Sequence, residues 1–90
     1  MRELRGRVAL VTGASRGIGA AIATALAAEG CHVALAARSQ EAIEKLADDL
    51  RQRFGVNVIA LPVDLSDESQ VAAMVEAVVG QLGRLDILVN

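Results

Sequence analysis

Thr12-Gly13-Ala14-Ser15-Arg16-Gly17-Ile18-Gly19 joins two different kinds of pattern. Before it, Arg7 to Thr12 carries the unbroken apolar run Val8-Ala9-Leu10-Val11, which suits a strand buried on both faces. After it, Ile18, Ile22 and Leu26 recur every four residues among alanines, and Gly30 closes the segment. That spacing predicts a helix from Gly17 to about Glu29. Between strand and helix, each glycine has a separate use. Gly13 turns the chain at the strand's end, and Gly17 leaves no side chain between backbone amides and a pyrophosphate. Gly19 lets the helix pack tightly on the sheet. The first-turn amides, at the positive end of the helix dipole, are then ready to receive phosphate groups. The spacing is Gly-x3-Gly-x-Gly rather than the general Gly-x-Gly-x2-Gly of dinucleotide folds, but its placement after a strand and before a helix meets the context such a motif requires.

Working outward, the alternation continues. Val33 to Ala37 reads as a second buried strand, and Ser39 caps a helix from about Gln40 to Phe54 with Ile43, Leu46, Ala47, Leu50 and Phe54 on one face. Gly55 ends it, and Val56 to Val63 forms a third strand, at an edge because Pro62 lacks a donor. Ser66 or Asp67 caps a third helix striped by Val71, Met74, Val75, Val78 and Leu82, with Asp67 and Glu68 at its positive end. Gly83 stops it, and Leu85 to Val89 is a fourth strand. The expected fold class is α/β, a Rossmann-type doubly wound parallel sheet in the pattern β-α-β-α-β-α-β. Strand order 3-2-1-4 places the first two helices on one face and the third on the other, in one partial dinucleotide-binding domain over residues 1–90. Such a sheet, truncated after strand 4, exposes that strand's edge and leaves one face with a single helix.

Composition agrees with this class. Of the 90 residues, 53% are apolar and 22% charged, which is globular rather than disordered. A single cysteine, Cys31, excludes a disulfide framework and a cysteine-based zinc site. His32 has no second histidine to share a metal with, so it and Cys31 read as structural or solvated residues. A net charge of −2 gives no footprint for nucleic acid. No apolar run approaches the ~18 residues of a membrane span, and Val8 to Val11 is too short for the core of a leader. A cytoplasmic protein is expected. A chain this short buries only roughly 60–65% of its unfolded surface, so modest stability is expected too.

The second informative position is the end of strand 2. Folds that prefer NAD place a carboxylate about 20 residues after the glycine loop, on the ribose 2′-hydroxyl. Here the stretch is Leu35-Ala36-Ala37-Arg38-Ser39, with no acid between Glu29 and Glu41. Arg38 presents a charged fork suited to a phosphate, and Arg16 in the loop is placed to reach the same group. The reading is an NADP(H) site. A methyltransferase-type nucleoside site would want an acid where Ala37-Arg38 stands. Asp64 and Asp67 flank a helix start and also read simply as caps.

The loop, followed by Val63-Asp64-Leu65 and Asp86-Ile87-Leu88-Val89-Asn90, resembles the short-chain dehydrogenase/reductase family over the whole chain. That resemblance implies that Gly13, Ser15, Arg16, Gly17, Ile18 and Gly19 line the pyrophosphate and adenosine ribose. It implies that Arg38, with Ser39 beside it, marks an NADPH user. By the same resemblance Asp64 contacts the adenine amino group, Leu65 lies beside the ring, and Asn90 is the first residue of the family's Asn-Asn-Ala-Gly motif. The rest of that motif, the catalytic serine, the Tyr-x-x-x-Lys pair and a later asparagine would all fall beyond residue 90. This sequence has no tyrosine, and its one lysine is Lys45.

The expected function is therefore the NADP(H)-binding half of an oxidoreductase that moves hydride between NADPH and a carbonyl or alcohol. A 3-oxoacyl thioester reductase is one subclass that general likeness suggests. No catalytic residue and no metal ligand is expected in these 90 residues, which alone are expected not to turn over. The expected partners are a small-molecule substrate in a full-length form and a second copy or complementing fragment, with no nucleic acid and no membrane. The alternative is a non-catalytic nucleotide-binding or assembly module that pairs through its bare strand-4 edge.

Overall fold

A computed structural model describes residues 4–90. Four strands and three helices alternate: β1 (Val8–Thr12), α1 (Gly17–Ala28), β2 (His32–Ala37), α2 (Gln40–Phe54), β3 (Val58–Pro62), α3 (Glu68–Leu82) and β4 (Ile87–Val89). All pairings are parallel and the order is β3-β2-β1-β4, so the chain is a Rossmann-type α/β sheet as the pattern implied. Val11 lies opposite Leu35 and Val89, and Leu35 lies opposite Ala60.

Two apolar layers account for the continuous runs in β1 and β2. Successive side chains point to opposite faces of a strand. Val33, Leu35 and Ala37 join Ala23 and Ala27 of α1 and Ile43, Ala47 and Leu50 of α2 on one side. Ala34 and Ala36, with Val8 and Leu10, meet Met74 and Val78 of α3 on the other. The first two helices thus share a face and the third has its own.

The packing of α1 differs from its spacing pattern. The residues driven against the sheet are Ala23 and Ala27, while Ile22 and Leu26 are half-buried and Ile18 is 79% exposed. Small side chains let the helix backbone come close to the sheet, and the larger ones fall to the flanks. In α3, Val75 is likewise exposed although Met74 and Val78 are buried. Two strands are shorter than expected. β3 begins at Val58, because the amide of Asn57 donates to His32 Nδ1 at 3.0 Å instead of to a strand. β4 begins at Ile87, because the side chain of Asp86 accepts the Val8 amide at 2.9 Å where a strand carbonyl would otherwise stand. Of the two cap candidates for α3, Asp67 is the one used; its carboxylate accepts from Ser69 N at 3.0 Å. Pro62 ends β3 at the edge of the sheet, where its missing donor faces no further strand.

Candidate functional site

Three loops meet at the carboxyl ends of β1, β2 and β3, the edge where parallel α/β sheets form their ligand crevices. Together they border a groove of about 650 Å³. The loop after β1 contributes Gly13, Ser15 and Arg16, the β2–α2 junction contributes Arg38 and Ser39, and the loop after β3 contributes Asp64 and Leu65. Seven of the eleven expected residues are therefore brought to one cavity. Gly17, Ile18 and Gly19 lie beside it in the first turn of α1, and Asn90 stands at the end of β4. There the Thr12 hydroxyl lies 3.1 Å from the Val89 carbonyl and 3.4 Å from Asn90 Oδ1.

The glycine loop is built by close approach as much as by backbone freedom. Gly17 has φ +64°, the left-handed region where a side chain is strained, and faces open space. Gly19 is different: a Cβ there would collide with the Gly13 carbonyl oxygen and lie 3.2 Å from Ala14 Cα. Its tight contact is thus with the start of its own loop, not with the sheet as its position in the motif implied. Ala14 N donates to Ala36 O at 3.3 Å, tying that loop to the end of β2.

The helix that follows has an open N-terminus. Arg16, at its N-cap, offers no side-chain cap, and no acidic residue lies in the first turn. The other two helices are capped by Ser39 and Asp67 and carry Glu41 and Glu68 in their first turns. The end of α1 that borders the groove therefore keeps its unsatisfied amides and positive dipole for an external anion.

The groove's charges are two cations and one carboxylate. Arg16 has no ion-pair partner among the described residues. Arg38 Nη2 lies 3.4 Å from Asp64 Oδ1. That same oxygen accepts from the Ser66 hydroxyl at 2.7 Å and the Ser66 amide at 3.0 Å. These bonds, with Arg38 adding to them, hold the Asp64 carboxyl below the usual aspartate range. Ser39 Oγ accepts from Ala42 N at 3.3 Å, so one function of this serine is to cap α2.

Ala37, Ala42, Val63 and Ser66 also border the groove and were not among the expected site residues. The first three carry no chemical signal that sequence reading could use. Ser66 did carry one, because an aspartate followed two residues later by serine is an Asx-turn spacing that folds the loop onto the carboxylate.

The family model described as short chain dehydrogenase matches residues 7–90. The chain belongs to the short-chain dehydrogenase family. A glycine betaine reductase of Emericella nidulans is 54% identical over 86 residues, a match that takes in 96% of this chain and 7% of that protein. L-sorbose reductase from Gluconobacter frateurii, solved in complex with NADPH and L-sorbose, superposes with a TM-score of 0.94 at 43% identity, over all of this chain and 35% of that one. An NAD+-bound xylitol dehydrogenase superposes with a TM-score of 0.90 at 38% identity, over 96% of this chain and 33% of that one. This short-chain dehydrogenase sequence spans well under half the length of each of these proteins.

Proposed function

We infer that this chain supplies the adenosine-phosphate portion of an NADP(H) site, in an oxidoreductase that transfers hydride between NADPH and a carbonyl or alcohol substrate. Arg38 carries this reading: it lines the groove at the end of β2, where a NAD-preferring site would place a carboxylate. The fold alone does not choose the cofactor, since relatives holding NADPH and NAD+ share it. What supports NADP(H) is charge: Arg38 and Arg16 border the same groove, and its one carboxylate, Asp64, lies after β3 with its Oδ1 3.4 Å from Arg38 Nη2.

The residues present fit a dinucleotide. The open N-terminus of α1 and the side-chain-free surface at Gly17 would receive the pyrophosphate. Arg38 and Arg16 would hold the adenosine 2′-phosphate, with Ser39 beside them. Asp64 would accept from the adenine amino group and Leu65 would cover the ring. Thr12 and Asn90 link the ends of β1 and β4 and so would set where the groove continues toward the reacting end. When bound, the cofactor supplies or accepts the hydride, and the contribution of these residues is to bind and orient it.

The test is NADPH-dependent reduction of carbonyl compounds by the complete protein, followed by loss of nicotinamide absorbance. Turnover is expected with NADPH. Arg38→Asp is expected to raise the KM for NADPH by about tenfold or more, because a charge-assisted bond is worth roughly 1.5–3 kcal/mol. Equal efficiency with NADH and NADPH in the unmutated protein would overturn the assignment.

A further inference from the structure

Arg38 and Asp64 are unequally fixed. Asp64 is anchored: its Oδ1 accepts from both polar groups of Ser66, and its amide donates to Gln70 Oε1 at 2.8 Å. Arg38 is 79% exposed, and its guanidinium has Asp64 as its one bonded partner among the described residues. The cation that would mark a 2′-phosphorylated cofactor thus already leans on a hydrogen-bonded carboxylate bordering the same groove, while Arg16 has no such partner among the described residues. A phosphate entering between these loops must draw Arg38 away from Asp64 or share it.

We propose that Asp64 competes with the adenosine 2′-phosphate for Arg38 and so limits how strongly the groove prefers NADPH to NADH. The proposal rests on the NADP(H) reading above and adds a specificity-setting role for Asp64. An exposed ion pair is weak, so the effect is modest. Asp64→Asn removes the competing charge and retains an oxygen able to accept from Ser66. Any change in an adenine contact affects both dinucleotides alike and cancels in the ratio of their affinities.

The experiment measures Kd for NADPH and NADH by calorimetry in the complete protein, in Asp64→Asn, in Arg38→Ala and in the double variant. The NADPH preference is expected to rise about two- to fivefold in Asp64→Asn. In the Arg38→Ala background the same substitution should leave the preference unchanged. An unchanged or reduced preference in Asp64→Asn would overturn the proposal. So would a rise that persists without Arg38, since Asp64 would then repel the phosphate directly. Absence of any NADPH preference in the unmutated protein would instead overturn the NADP(H) reading on which the proposal stands.

Discussion

Gly17 and Gly19 are two residues apart and answer to different constraints. Gly17 is needed for its left-handed backbone and faces open space, whereas Gly19 is needed because the Gly13 carbonyl occupies the place of a side chain. Gly19→Ala forces the loop and α1 apart, and is expected to cost about 1–3 kcal/mol of stability, read as a lower urea midpoint. Gly17→Ala meets no atom, so its cost is the left-handed strain of about 1–2 kcal/mol. It should also weaken cofactor binding, because a methyl group would stand at the open face of the loop. Equal cofactor affinity in Gly17→Ala and the unmutated protein, measured by calorimetry, would contradict that role. At this scale the sequence revealed the identities of the charged residues but not their partners. Arg38 was legible because a cation stands where an acid is the alternative. Its pairing with Asp64 was not, since the two are brought together only when β3 lies beside β2.

Among the elements, β1 and β4 are held together at one end by a side chain. Asp86 is 14% exposed at its carboxylate, accepts the Val8 amide, and pairs with Arg84 at 2.9 Å and Arg7 at 3.6 Å. The Val8 hydrogen bond first, then that from Arg84 and the two positive charges, hold its carboxyl below the ordinary value of 3.8. A carboxyl with a lower pKa folded than unfolded stabilises fully above the unfolded value, and loses that contribution as pH falls through the folded one. Asp86→Asn should therefore lower the urea midpoint at pH 7, and its deficit should shrink as pH falls below about 4. A deficit that stays constant from pH 7 to pH 3 would show that the charge contributes nothing. At α2, Ser39→Ala removes the cap on Ala42 N and should cost about 1 kcal/mol, measured in the same way.

The elements themselves were largely readable. Short continuous apolar runs suited strands covered on both faces, and glycine stops ended the helices; Gly55 and Gly83 are the left-handed caps of α2 and α3. The spacing of Ile18, Ile22 and Leu26 marked α1 as a helix but not its inward face, where close packing selected Ala23 and Ala27. The starts of β3 and β4 were misread because side chains of His32 and Asp86 take up backbone donors, which residue type alone does not reveal.

Across the whole molecule, the two faces of the sheet are unequally covered. Two helices share one layer and α3 alone covers the other, and Leu88, Val75 and Val79 present apolar surface, with Leu88 56% exposed. The 90-residue chain in isolation is expected to bind a hydrophobic dye. Absence of dye binding together with sharp cooperative unfolding would contradict an incompletely covered sheet. The groove is bordered by the three loops that follow β1, β2 and β3.

The most direct measurement of the central claim is the affinity of the unmutated protein for NADPH and for NADH, titrated side by side by calorimetry with Arg38→Asp as the reference. NADPH should bind at least about tenfold more tightly, and the gap should narrow in Arg38→Asp. Equal affinities in the unmutated protein, or a gap that Arg38→Asp leaves untouched, would mean that the groove does not read the 2′-phosphate through Arg38.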